Sequence, residues 1–136
     1  MKKYRFLLVA SNFYPEITLN LLKGAQKYLE KNGHKFETTF TKGSLEIPTK
    51  ISMKLNKKKY DAVVAIGCII KGKTDHYEFI SNAITKTLIE MSIRGKLPIS
   101  NSILTCRNIK QAKERSSKKL NRAKEAVEAA IAVLQD

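Results

Sequence analysis

The sequence predicts a three-layer α/β sandwich, a four-stranded parallel sheet with helices on both faces. Short runs rich in β-branched and aromatic residues alternate with longer segments of helical periodicity along the chain. The clearest strand, DAVVAIG at residues 61–67, is apolar almost throughout, as a strand covered on both faces must be. Glycine closes two of the helical segments, at Asn32-Gly33 and at Gly95.

Residues 4–10 form an apolar run that reads as a buried first strand. Lys2, Lys3 and Arg5 before it give the start a slight likeness to a secretion signal. The patch from Phe6 to Ala10 is shorter than the roughly 7–15 residues of a secretory core, and no small-residue cleavage site follows. Pro15 opens a helix with Ile17, Leu21, Ala25 and Tyr28 on one side. His34 follows its end and is read as a partner for the C-terminal dipole. Residues 35–40 alternate like a strand, and 47–57 form a helix with Pro48 in its first turn. Residues 61–67 make the third strand. Residues 77–94 make a helix with Ile80, Ile84, Leu88 and Met91 on a stripe, and Phe79, Ile89 and Ile93 outside it. The fourth strand covers 97–105, and 108–115 form a short helix. Leu120, Ala123, Val127, Ala130, Ile131 and Leu134 mark a last amphipathic helix.

No linker, repeat or low-complexity tract divides residues 1–136, so one domain is expected. With 43% hydrophobic and 28% charged residues the chain reads as a soluble globular protein. No apolar run approaches the roughly 20 residues of a membrane span. Cys68 and Cys106 have neither CxxC nor His-paired spacing, which argues against a zinc site or a disulfide framework and for a reducing cytoplasm. The net charge is +14. Eight basic residues against the single acid Glu114 fall within 107–124. Such a run fits a solvated helix face, a nucleic-acid surface or a site for a phosphorylated small molecule. The run contains no aromatic residue, which counts against nucleic acid.

Ligands of open parallel sheets sit outside the carboxyl ends of the strands. Here those segments are residues 11–14, 41–46, 68–76 and 106–108. Phe13 and Tyr14 could stack a flat heterocycle or merely cover the core edge. Glu46, in KGSLEIP, could accept hydrogen bonds from a polyol or an amide, or cap a helix. In GCIIKGKTDH, two glycines bracket an expected bend, and Gly72, Lys73 and Thr74 offer backbone donors, an ammonium and a hydroxyl where a helix begins. The stretch satisfies the nucleotide-binding pattern G-x-x-x-x-G-K-[ST]. Its bulky interior, Cys68 to Lys71, and the lack of a magnesium-binding Asp after an apolar strand argue against a nucleotide loop. His76, one of two histidines in the chain, stands next to this turn.

Taken together, these loops resemble lumazine synthase, the penultimate enzyme of riboflavin biosynthesis. SNFYPEIT matches the family's aromatic loop, GSLEIP its GAFEIP-like segment, and GCIIKGKTDHYEF its G-x-V-I-R-G-x-T-x-H stretch. ILTCRNIKQAKERS matches the LTT-x-x-x-x-QA-x-x-R segment, and NRAKEAVEAA the NKG-x-EAA ending. Five matches in order cover nearly the whole chain and make the nucleotide-loop pattern a coincidence. The resemblance implies a flavodoxin-like sandwich that condenses 5-amino-6-(D-ribitylamino)uracil with 3,4-dihydroxy-2-butanone 4-phosphate. The products are 6,7-dimethyl-8-ribityllumazine, phosphate and water, with no metal or organic cofactor.

Carried over by residue, the resemblance implies that Phe13 stacks on the pyrimidine while Ser44, Leu45 and Glu46 hold the ribityl chain. Cys68, Ile69 and Ile70 contact the pyrimidine, and Asn101 lines the substrate site. Gly72, Lys73 and Thr74 cradle the phosphate, with Arg115 and Arg122 as its charged partners. His76 transfers protons. Lys71 stands where Arg is common, Lys73 where a small residue is usual, and Asn101 where several members carry an aromatic. Arg122-Ala123 replaces Lys-Gly. The resemblance further implies a homopentamer with sites at the subunit interfaces, in some members part of a larger assembly, which gives the apolar face of the 77–94 helix a place to go.

Overall fold

The structure, a computed structural model, describes residues 2–72 and 76–135. Among these, four strands form one parallel sheet: β1 (Arg5–Ser11), β2 (Lys35–Thr41), β3 (Ala62–Ile70) and β4 (Ile99–Cys106), in the order β2-β1-β3-β4. Helices α1 (Pro15–Lys31), α2 (Ile47–Lys57), α3 (His76–Gly95), α4 (Ile109–Arg115) and α5 (Arg122–Leu134) connect and follow them. A short 3₁₀ turn, Ser44–Glu46, precedes α2.

Alternate side chains of each strand feed opposite layers. Phe6, Leu8 and Ala10 of β1 pack with α1, α4 and α5, while Leu7 and Val9 pack with α2 and α3. Strand β3 divides the same way, Val64 and Ile66 to one side and Val63 and Ala65 to the other. Both sides are fully buried, so the run carries no polar alternation. The expected three-layer sandwich is the observed one.

Helix α1 buries Ile17, Leu21, Ala25 and Leu29, one residue per turn. Its end is set by Gly33, whose φ of +77° suits a residue without Cβ. The Gly33 N–H donates to the Glu30 carbonyl (3.1 Å) and the His34 N–H to that of Leu29 (2.9 Å), which satisfies two orphan carbonyls. At the far end of the chain, Asn121 caps α5: its Oδ1 accepts from the Ala123 and Lys124 amides, both at 3.0 Å. The same side chain donates through Nδ2 to the Asn20 carbonyl in α1 at 2.8 Å. Gly24 makes room for this contact, because a Cβ there would lie 2.2 Å from Asn121 Cγ.

Several boundaries differ from the expected ones. Gly67 does not begin a bend; β3 runs on to Ile70, paired with Cys106 of β4. Residues 68–70 are therefore extended strand, where the interior of a nucleotide loop would wrap a phosphate. Strand β4 occupies residues 99–106 rather than 97–105, and α3 includes His76 and Gly95. Leu120 lies outside α5 and is exposed, since the Asn121 cap starts the helix after it. His34 is not a dipole partner. It is buried, accepts the Tyr4 N–H at Nδ1 (3.1 Å) and stacks on the Tyr4 ring, a neutral imidazole that joins the starts of β1 and β2.

Candidate active site

Connections leave β1 and β3 in opposite directions across the sheet, so the crevice of this topology opens between their carboxyl ends. A cavity of about 360 Å³ lies there, within the roughly 300–1,000 Å³ of small-molecule sites. Phe13 and Tyr14 come from the β1–α1 loop, Gly43 to Glu46 from the turn after β2, and Cys68 to Ile70 from the end of β3. Ile80, from the second turn of α3, completes the wall.

The loops are tied to one another by backbone. The Asn12 N–H donates to the Thr41 carbonyl (2.8 Å), joining the ends of β1 and β2. Thr18 Oγ1 donates to the Ser11 carbonyl at 2.6 Å, and Thr41 Oγ1 to that of Gly43 at 2.7 Å. Beneath the cavity the Ser11 and Ser44 hydroxyls meet at 3.2 Å. Gly67 permits this: a Cβ at that position would fall 2.5 Å from Ser11 Oγ and 2.9 Å from Ser44 Oγ. The glycine that looked like a bend is a close approach of strand backbone to two hydroxyls.

Phe13 projects its ring into solvent, 67% exposed, and sets its edge against Tyr14 with centroids 5.0 Å apart. A ring held at one edge offers a face to a planar ligand. Glu46 Oε1 accepts the Gly43 N–H at 2.9 Å, which fixes the carboxylate at the rim, and Oε2 has no partner among the described residues. Burial, and then the neighbouring Cys106, push the Cys68 thiol up to about 12. It stays protonated at neutral pH and serves as an apolar wall, since only a thiolate is nucleophilic.

Seven predicted contact residues, Phe13, Ser44, Leu45, Glu46, Cys68, Ile69 and Ile70, line this one cavity. Asn101, Arg115 and Arg122 do not join them. They line a second cleft of about 380 Å³ along the edge strand β4. There Arg115 Nη1 donates to the Thr105 carbonyl at 3.2 Å and approaches Cys106 Sγ at 3.6 Å, which leaves further guanidinium donors unspent. Arg122 pairs with Glu125 at 3.0 Å on the surface. The Asn101 amide bridges the Thr85 hydroxyl (3.3 Å) and the Ile103 N–H (2.9 Å). Gly72 is exposed with open space where a Cβ would sit, and His76 is exposed as the first residue of α3. Lys73 and Thr74 lie outside the described residues. Ile80, assigned by periodicity to the core stripe, and Tyr14, beside Phe13, are wall residues that motif matching did not select.

No group of metal-ligating side chains occurs among the described residues, and no described helix is long and apolar enough to cross a membrane. The family model for 6,7-dimethyl-8-ribityllumazine synthase matches residues 3–136. A protein named 6,7-dimethyl-8-ribityllumazine synthase from Bartonella tribocorum is 38% identical over 135 residues, covering 98% of this chain and 89% of its own. Proteins of the same name from Buchnera aphidicola (39%, 93% of this chain and 82% of theirs) and Sphingopyxis alaskensis (36%, 94% and 91%) match over comparable lengths. With motifs, strand order and crevice all in agreement with that match, the chain belongs to the 6,7-dimethyl-8-ribityllumazine synthase family, transferases of riboflavin biosynthesis.

Proposed function

We propose that this chain condenses 5-amino-6-(D-ribitylamino)uracil with 3,4-dihydroxy-2-butanone 4-phosphate, forming 6,7-dimethyl-8-ribityllumazine and releasing phosphate and water. The observation that carries the reading is the crevice at the β1 and β3 ends, which gathers an aromatic face, a carboxylate rim and an apolar wall. Phe13 stacks on the pyrimidine. Cys68, Ile69 and Ile70 exclude water from its other side, and Ser44, Leu45 and Glu46 receive the ribityl hydroxyls. Gly72, with Lys73 and Thr74, holds the phosphate beside the start of α3, where anions are favoured.

His76 moves protons as the imine forms, the phosphate leaves and the ring closes. Imidazole is the side chain best suited to give and take protons under physiological conditions. Most of the acceleration comes from holding two reactants in register, because proximity supplies large effective concentrations.

The split between the two clefts supports a shared site. Asn101, Arg115 and Arg122 on the β4 edge would complete the crevice of a neighbouring copy, Arg115 meeting the phosphate dianion with its guanidinium fork. We therefore read the protein as a cytoplasmic homopentamer of one-domain subunits with sites between subunits. The exposed apolar side chains of α3 support that assembly.

The test is the appearance of the lumazine chromophore from both substrates, above the uncatalysed rate. Arg115→Ala should raise the KM for the phosphorylated substrate about 10–100-fold, the size of a lost charge-assisted hydrogen bond. His76→Ala should lower kcat by about tenfold, less than the roughly 10²–10⁴ that acid–base groups often supply. An unchanged KM in Arg115→Ala would refute the phosphate assignment. Binding of flavin or lumazine without turnover would make the protein a carrier instead.

A further inference from the structure

A larger cavity, about 660 Å³, lies away from the strand ends, between α1 and the turn that links α4 to α5. Lys23, Lys27 and Lys31 line one wall, at successive turns of α1. Lys118 and Lys124 face them from the other wall, and Tyr28 provides an aromatic surface between. No carboxylate lines the cavity. Among the described residues Lys23, Lys27, Lys31 and Lys118 form no ion pair, and Lys124 reaches only the exposed Glu128, at 3.8 Å.

Like charges one turn apart on a helix repel, and a second basic wall across the cleft adds to that repulsion. The backbones of the two walls cannot move apart to relieve it. The Asn121 cap is buried and bonded to both helices, and Gly24 holds it against α1 without clearance. The cleft is thus a fixed gap of roughly the size of a small ligand. The Ser117 hydroxyl, which accepts the Leu120 N–H at 3.2 Å, keeps its own proton to donate into it.

We propose that this cleft binds a compact polyphosphate anion at a site separate from the condensation crevice. Ammonium groups contributed by two walls of one cleft match several phosphates close together better than a single carboxylate or phosphate. Two sources carry that chemistry, a free inorganic polyphosphate and the triphosphate of a nucleotide, and the Tyr28 ring would favour the second by stacking on its base. An extended nucleic acid fits less well, because the charge is gathered into one pocket and only one aromatic lines it.

The test is calorimetric titration and thermal unfolding of the whole protein with inorganic tripolyphosphate, and in parallel with ATP in the absence of magnesium, at fixed ionic strength. Saturable binding should appear and raise Tm by about 5–10 °C when the anion is at a hundredfold its Kd. Lys27→Gln with Lys118→Gln should weaken binding at least tenfold without changing lumazine formation. Arg115→Ala should leave it intact, which separates this cleft from the condensation site. Tighter binding of ATP than of tripolyphosphate would name a nucleotide as the source, and equal binding a free polyphosphate. Binding lost in Arg115→Ala but kept in the lysine variant would overturn the proposal. So would no saturable binding, or binding confined to a single-stranded oligonucleotide with steep salt dependence.

Discussion

The two sides of the sheet are finished differently. On one side α1 and α5 pack on each other and on the strands, and α5 buries Ala123, Ala126, Val127, Ala130 and Ile131. Small residues there let the two helices approach closely, and the Asn121 bond to Asn20 locks them. On the other side α3, 20 residues long, buries only Ile84 and Leu88 among its described side chains. Phe79 is 74% exposed, Ile93 71% and Ile89 55%. These three side chains stand largely in solvent, outside the stripe by which α3 packs on the sheet. An apolar helix face of this kind is the surface that the proposed pentamer would cover. The first side is a closed helix pair, and the second turns apolar side chains outward.

The largest expected effect tests the unfinished side. If the proposed pentamer is right, replacing Ile89 and Ile93 together by Asp should disperse it to smaller species and lower activity at least tenfold, as truncation of buried interface anchors does. Light scattering after size exclusion reads the mass directly. A variant that kept full mass and full activity would show that α3 faces solvent in the assembly, and the contrast between the two sides would lose its meaning. On the finished side the next effect is smaller and lies in the single chain. Leu21→Ala empties a fully buried position and should cost about 2–5 kcal/mol in urea unfolding. A cost below about 1 kcal/mol would mean that the α1–α5 side is looser than its burial indicates.

The smallest effect concerns pH. Burial first, and then the nearby Lys3, lower the His34 pKa from its ordinary 6.5. The folded protein therefore resists a proton that the unfolded chain accepts. Stability is complete above about pH 6.5 and declines as pH falls from there toward the depressed value. His34→Gln keeps an acceptor for the Tyr4 N–H but cannot titrate, so urea midpoints measured at pH 5 and pH 7 should differ less than in the parent. An undiminished difference would assign the acid sensitivity to other groups.

Much of this could be read from the residues alone. The strands and long helices were visible because burial on both faces leaves an unbroken apolar run in β3, and burial on one face leaves a 3.6-residue stripe in α1. The crevice was visible because its contacts come in short stretches, SNF, GSLE and CII, that lie at strand ends. What stayed hidden depends on distant partners. His34 shows no sign in sequence of the Tyr4 amide it accepts, 30 residues away. Gly67 looks like a turn residue until Ser11 and Ser44 are brought against it. Lys23, Lys27 and Lys31 form an ordinary polar stripe on α1. They become one wall of a basic cleft only when Lys118 and Lys124 arrive from the other end of the chain.

The hydrogen bond from Asn121 to Asn20 also has a consequence in time. Its partners are separated by 101 residues, and at roughly 5–20 residues per second a ribosome needs about 5–20 s to go from one to the other. For that interval α1 exists without α5, and the apolar flank that α5 later covers stays open to water, to chaperones and to other nascent chains. The side of the sheet that is most complete in the finished protein is thus among the last to be closed during its synthesis.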